Sequence, residues 1–174
     1  MKNYVLVGYM GCGKTTVGKN LARICNMKFL DTDELIEQKQ GRKISEIFAT
    51  DGENAFRDME TAILRELLTQ KKTGLVISTG GGMPVREENR QLLKELGMVF
   101  YLKAKPETVY ERVKGDTKRP LLQCEDPLSR IRTMQEQREP AYMESAHFVV
   151  EVDKYRQSEI AEQLKIKGKE KRIQ

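Results

Sequence analysis

An α/β fold, three layers deep with a five-stranded parallel sheet at its centre, is predicted by three features of this sequence. Apolar runs of strand length alternate with longer segments of helical periodicity, the pattern of repeated βαβ units. The first strand-like run opens into a glycine-rich loop and then a periodic helix. At 174 residues, the chain has the size of one domain able to bury a sizeable core.

The elements follow in order. Tyr4–Val7 reads as the first strand and Thr15–Cys25 as a helix with Val17, Leu21 and Ile24 on one face. A second strand, Lys28–Leu30, runs into Asp31-Thr32-Asp33 and a helix over Asp33–Gln40 that stops at Gly41. Asn54–Thr69 forms the next helix, burying Phe56, Ile63 and Leu67. Strand Leu75–Ser78 precedes three successive glycines, and helix Arg86–Leu96 ends at Gly97 before strand Met98–Leu102. Pro106 suits the first turn of helix Pro106–Val113. Asp126 is placed to cap a long segment opening with Pro127, which Pro140 is expected to end near Arg138. The last strand is Phe148–Val152, and the basic stretch Lys165–Arg172 reads as a solvated, frayed terminus. The polar segment Lys114–Cys124, carrying Gly115 and Pro120, breaks the compact pattern as a mobile surface loop would. Residues 1–174 are thus expected to form a single domain, with a lid at about 114–124 and a basic tail at about 166–174.

Composition narrows the partners. No apolar run approaches the roughly 20 residues of a membrane span, and the opening residues are too short for a secretion signal. A soluble, cytoplasmic protein is expected. The three cysteines, Cys12, Cys25 and Cys124, form no metal-type pair and are expected as reduced thiols. His147 has no second histidine or cysteine nearby and reads as structural. The net charge of +5 lies largely in the tail, where no aromatics interleave with the basic residues, so nucleic acid is not expected as a partner.

The chemistry starts at Gly8-Tyr9-Met10-Gly11-Cys12-Gly13-Lys14-Thr15, which fills every fixed position of G-x-x-x-x-G-K-[ST] between a strand and a helix. Such a loop turns its N–H groups toward phosphate oxygens, and the helix N-terminus adds its dipole. Gly11, Cys12, Gly13, Lys14, Thr15 and Thr16 are therefore the expected nucleotide-binding stretch. Lys14 would reach the β- and γ-phosphates and the Thr15 hydroxyl a magnesium ion. In a parallel sheet the ligand lies beyond the carboxyl ends of the strands, where Asp31 and Asp33 fall. Asp31 is a candidate to hold Mg²⁺ through a water. Asp33 is either the cap of the following helix or a base for an acceptor hydroxyl. Arg57 and Glu60, three apart on a helix, form either a surface ion pair or a clamp for a carboxylate. The glycines at 80–82 permit close backbone approach to a ligand. Arg119 is either a solvated loop residue or an arginine that stabilises a phosphoryl group in transfer.

Taken together, Gly8–Thr15, Asp31-Thr32-Asp33, Phe56-Arg57-x-x-Glu60, Gly80-Gly81-Gly82, Arg119-Pro120-Leu121-Leu122 and Arg138-x-Pro140-x-Tyr142 resemble the motifs of the shikimate kinase family, in its order and at about its spacings. The resemblance runs to about Asp153. It implies a P-loop fold of nucleoside-monophosphate-kinase type with a mobile lid. It also implies transfer of the ATP γ-phosphate to the 3-hydroxyl of shikimate, on the route to aromatic amino acids, by a monomer. By that likeness Asp33 binds the acceptor hydroxyls and serves as base. Arg57, held by Glu60, and Arg138 take the shikimate carboxylate, while Gly80 and Gly81 approach its ring. Lys14 and Arg119 stabilise the phosphoryl group, Arg112 stacks on adenine and Arg156 contacts the nucleotide. ATP and Mg²⁺ are the implied cofactors.

Overall fold

The computed structural model describes residues 2–115 and 125–170, so most of the expected lid, with Arg119 and Cys124, lies outside the described residues. Five strands, β1 (Asn3–Val7), β2 (Lys28–Asp31), β3 (Leu75–Ser78), β4 (Gly97–Lys103) and β5 (Phe148–Glu151), form one sheet in the order β2-β3-β1-β4-β5. Every pairing is parallel, with Val5 opposite both Ile77 and Val99. β1 and β3 are buried throughout, as strands covered on both faces must be. The chain leaves β1 toward one edge for β2 and β3, then crosses to β4 on the other side. A crevice therefore opens beyond the carboxyl end of β1.

Helices α1 (Lys14–Cys25) and α8 (Gln157–Glu170) pack together. Helices α2 (Thr32–Gln40), α3 (Ile44–Thr50), α4 (Gly52–Thr69), α5 (Glu87–Leu96), α6 (Pro106–Val113) and α7 (Pro127–Ser145) complete the described elements, with a short 3₁₀ turn at Met83–Val85. The core joins Leu6, Leu21, Leu64, Ile77, Leu93, Phe100 and Ile160. Asp126 caps α7 through Ser129 N–H at 3.0 Å, and Gly41 ends α2 in the left-handed conformation, as expected. His147 is structural: its Nδ1 accepts from the Val99 N–H at 3.0 Å, and its own backbone N–H bonds the Val99 carbonyl.

Three expectations need correction. Pro140 does not end α7, which continues to Ser145. Proline inside a helix costs about 3 kcal/mol. Packing beyond it outweighs that cost, because Tyr142 is buried, its ring 5.0 Å from that of Tyr101 and its hydroxyl 2.6 Å from the Gly81 carbonyl. The basic stretch from Lys165 is not frayed through Glu170. Ile160, Leu164 and Gly168 recur at helical spacing and are buried, and a Cβ on Gly168 would meet the Tyr4 ring at 2.5–2.8 Å. The basic side chains simply occupy the other faces. Finally, Asp33 is not the cap of α2; Asp31 is.

Candidate functional site

The glycine-rich loop curls at the head of α1 with Gly8, Gly11 and Gly13 at φ +146°, +73° and +103°, values that L side chains rarely adopt. At Gly8 a Cβ would lie 2.6 Å from the Leu102 carbonyl, so strand β4 itself enforces glycine there. Lys14 turns back over this loop, its Nζ donating to the carbonyls of Gly8 at 2.7 Å and Tyr9 at 3.0 Å. Arg112, from α6, closes the other side by donating through Nη1 to the carbonyls of Gly11 and Cys12, each at 3.1 Å. Cys12 itself is buried beneath the loop. A cavity of about 480 Å³ lies here, its wall including Gly11, Gly13, Lys14, Thr15, Thr16 and Arg112.

Asp31 and Asp33 sit on the same wall. One oxygen of Asp31 caps α2, accepting from Asp33 N–H at 3.0 Å and Glu34 N–H at 3.4 Å. Its other oxygen faces the Thr15 hydroxyl at 3.5 Å. Because Asp31 supplies the cap, Asp33 is left within the first turn with its side chain free to face the cavity. Its Oδ1 is buried with no hydrogen-bond partner among the described residues. Burial raises its pKa to about 6, helped by the negative charge of Asp31 and opposed by Lys14. A carboxylate poised this close to neutrality is a capable general base.

On α4, Glu60 is wholly buried and Arg57 nearly so. Arg57 donates from Nη1 to Glu60 at 2.7 Å and from Nη2 to Glu53 at 2.9 Å. This is no surface ion pair. The second oxygen of Glu60, Oε1, is buried without a partner among the described residues, and burial pushes this carboxyl up to about 7 against the pull of Arg57, with Asp33 and Arg138 also near enough to act on it. Glycine explains how these groups crowd together. A Cβ on Gly80 would lie 2.6 Å from Asp33 Oδ1 and 3.0 Å from Glu60 Oε1, and one on Gly82 would run into the Arg57 guanidinium. Arg138 approaches from α7, its guanidinium 5.9 Å from the Tyr9 ring centre. A Cβ on Gly81 would be 3.9 Å from its Nη1. Arg57 and Arg138 line a second cavity of about 350 Å³ that also touches Arg90 and Glu144.

Asp33, Glu60, Arg57 and Arg138 thus meet around Gly80–Gly81, with Asp33 turned to the phosphate loop and the two arginines turned to the neighbouring cavity. Arg156 is not among them. It is exposed, and Gln157, the next residue, lines the nucleotide-side cavity instead. Thr32, Thr79 and Tyr142 also serve the site unannounced. Thr32 accepts from Gly80 N–H at 3.1 Å, Thr79 bonds the Leu6 carbonyl at 3.0 Å and Tyr142 holds the Gly81 carbonyl. Tyr142 carries a signal in its spacing from Arg138, four residues away on one helix face, and Thr32 in its place between Asp31 and Asp33; Thr79 carries none.

The family model for shikimate kinase matches residues 10–167. This chain belongs to the shikimate kinase family. The shikimate kinase of Thermodesulfovibrio yellowstonii is 45% identical over 94% of this chain and 93% of its own, and that of Paracidovorax citrulli is 42% identical over 94% and 92%. Among solved structures, the Acinetobacter baumannii shikimate kinase in complex with shikimate superposes with a TM-score of 0.87 at 41% identity, covering 94% of this chain and 90% of that one. The Aquifex aeolicus shikimate kinase gives 0.81 at 33% identity, covering 94% of both chains. A Sinorhizobium meliloti gluconokinase, at 17% identity and a TM-score of 0.56, shares the fold alone. The expected five-stranded parallel architecture is therefore that of the family. No described helix is long and apolar enough to cross a membrane.

Proposed function

We propose that this protein transfers the γ-phosphoryl group of ATP to the 3-hydroxyl of shikimate, feeding aromatic amino acid synthesis, with the residues gathered around Gly80–Gly81 as its acceptor site. The observation that carries the reading is the meeting of Asp33, whose buried oxygen has no partner among the described residues, with two arginines beside a phosphate loop. An acceptor bearing both a hydroxyl and a carboxylate is matched by that set. Arg57 and Arg138 bind the carboxylate through planar, permanently charged guanidinium groups. Glu60 holds Arg57 in place, and Gly80 and Gly81 leave room for the ring.

Asp33 accepts the hydroxyl proton as the acceptor oxygen attacks phosphorus and the bond to the β-phosphate oxygen breaks. Lys14, together with Arg119, stabilises the charge on the transferred group. Gly11, Cys12, Gly13 and Thr16 present backbone N–H groups to the phosphates, and Arg112 contacts the nucleotide, with Gln157 beside it in the place expected for Arg156. Among the described residues no cluster of three or more histidine, cysteine or acidic side chains could hold a metal. Thr15 and Asp31 are nonetheless two hard oxygen donors 3.5 Å apart, which suits an ion that keeps most of its ligands from water and phosphate. They would hold Mg²⁺, which when bound neutralises phosphate charge. The segment 114–124 acts as a lid that excludes water. The chain works as a cytoplasmic monomer, without nucleic acid or membrane.

A coupled assay of ADP release with shikimate, gluconate and nucleoside monophosphates tests this. Turnover with shikimate alone is expected; turnover of gluconate or a nucleotide in its place overturns the assignment.

A further inference from the structure

We propose that Asn89, on α5, is a positioning residue for the acceptor site: its side-chain amide locks the helix carrying Arg57 to the turn that follows the three glycines. The inference rests on the proposed role of Arg57 as a carboxylate clamp. Asn89 is wholly buried, among positions such as Leu93 and Leu96 where α5 supplies apolar core. A buried amide is costly unless it is paired, so a mere filler at this position would be apolar. Here both ends are paired. Its Oδ1 accepts from the Thr61 hydroxyl at 2.8 Å, and its Nδ2 donates to the Met83 carbonyl at 3.0 Å. The carbonyl sets the direction of the amide, because a flipped side chain would oppose two acceptors.

The two partners belong to the two pieces whose relation fixes Arg57. Thr61 lies one turn beyond Arg57 on α4, next to Glu60, and its hydroxyl also reaches the Arg57 carbonyl at 3.1 Å. Met83 follows Gly82 directly, and the Arg57 guanidinium fills the space where a Gly82 side chain would be. A shift between α4 and the turn would therefore move the guanidinium or drive it into the Gly82 backbone. Arg90, the next residue, completes the brace by donating to the carbonyls of Pro84 at 3.1 Å and Val85 at 3.0 Å. Its Nε lies 2.8 Å from Glu144 on α7, the helix of Arg138. One turn of α5 thus braces the supports of both arginines.

The test compares Asn89→Leu, which keeps the volume and removes the amide, with Thr61→Val and Thr61→Ser. Loss of the amide in Asn89→Leu, or of the hydroxyl in Thr61→Val, is expected to raise the KM for shikimate about tenfold, leaving the KM for ATP and kcat within about twofold. Thr61→Ser restores wild-type values. On an Arg57→Ala background Asn89→Leu adds no further change. A second readout needs no acceptor: the Arg57 Nε–H resonance, assigned by Arg57→Lys, moves in Asn89→Leu and in Thr61→Val. A wild type inactive on shikimate would remove the proposed substrate but leave this resonance shift standing. An unmoved resonance, or a melting temperature that falls while the shikimate KM stays put, overturns the positioning role. If Asn89→Leu does not fold, the Thr61 pair alone decides.

Discussion

The two halves of the site are built from different material. On the nucleotide side, main chain does most of the shaping: three glycines at positive φ, a helix start and a lysine folded onto carbonyls. On the acceptor side, four charged side chains from three helices, α2, α4 and α7, are packed against a second glycine run. The first construction leaves no room for an added atom at Gly8 or Gly11. The second tolerates no removed charge, because the ionisation of Asp33, Arg57 and Glu60 depends on the charges beside them. Shape is preset in one half and electrostatic balance in the other.

The largest effect that would sharpen this contrast is expected from Asp33→Asn. Turnover should fall between about 10²- and 10⁴-fold while ATP still binds; a variant with near-normal turnover would break the contrast at its centre. The same change should stabilise the protein. The folded carboxyl titrates near 6 and the unfolded one near 3.8. The wild-type contribution is therefore complete below about 3.8 and is lost as pH rises through about 6. Replacing the group by an amide recovers about 3 kcal/mol at pH 8 relative to pH 3. Urea unfolding at both values measures it. Equal gains at the two pH values would show that Asp33 is not held out of its ordinary range.

Arg57→Ala comes next. Weakening of shikimate by about 100-fold in titration calorimetry is expected, with a stability loss of about 3–5 kcal/mol because Glu60 is left buried without its counter-charge. The double change Arg57→Ala with Glu60→Gln should recover the stability and not the binding. Recovery of both would reduce the pair to packing. The smallest of the three effects belongs to the preset half. Gly8→Ala would press a methyl group against the Leu102 carbonyl, and it should weaken ATP about tenfold while leaving shikimate affinity within about twofold. A loss on both ligands would mean that the two halves are not separable.

This contrast also explains what the sequence discloses. A loop shaped by backbone must write its glycines close together, so Gly8–Thr15 is legible as a motif, and with it the strand and helix on either side. Side chains that converge from distant helices leave no contiguous record. Asp33, Arg57 and Arg138 become readable together only through resemblance, because spacing alone keeps each open to a bland alternative. What decides Asp33 is invisible in sequence: the Asp31 oxygen that caps α2 in its stead. Tertiary packing decides the other differences. Pro140 argues for a helix end, yet Tyr142 anchors the turn beyond it. The charge of the tail argues for solvent, yet Ile160, Leu164 and Gly168 form a buried stripe between the lysines. Helix α3 escapes a periodic reading because its seven residues bury only Ile47. Asn89 and Thr61 escape it because a buried polar residue in an apolar stripe looks like a break in the stripe.

The seating of Gly168 against Tyr4 has a bearing on how the chain is made. The strand that carries the phosphate loop leaves the ribosome long before α8, and both Tyr4 and the face of α1 that packs on α8 must wait for that helix before they are covered. A nascent chain stalled or cut short of α8 would leave Tyr4 and that face of α1 open to other unfinished chains. The surface that the finished protein hides is thus the one a chaperone would hold during synthesis.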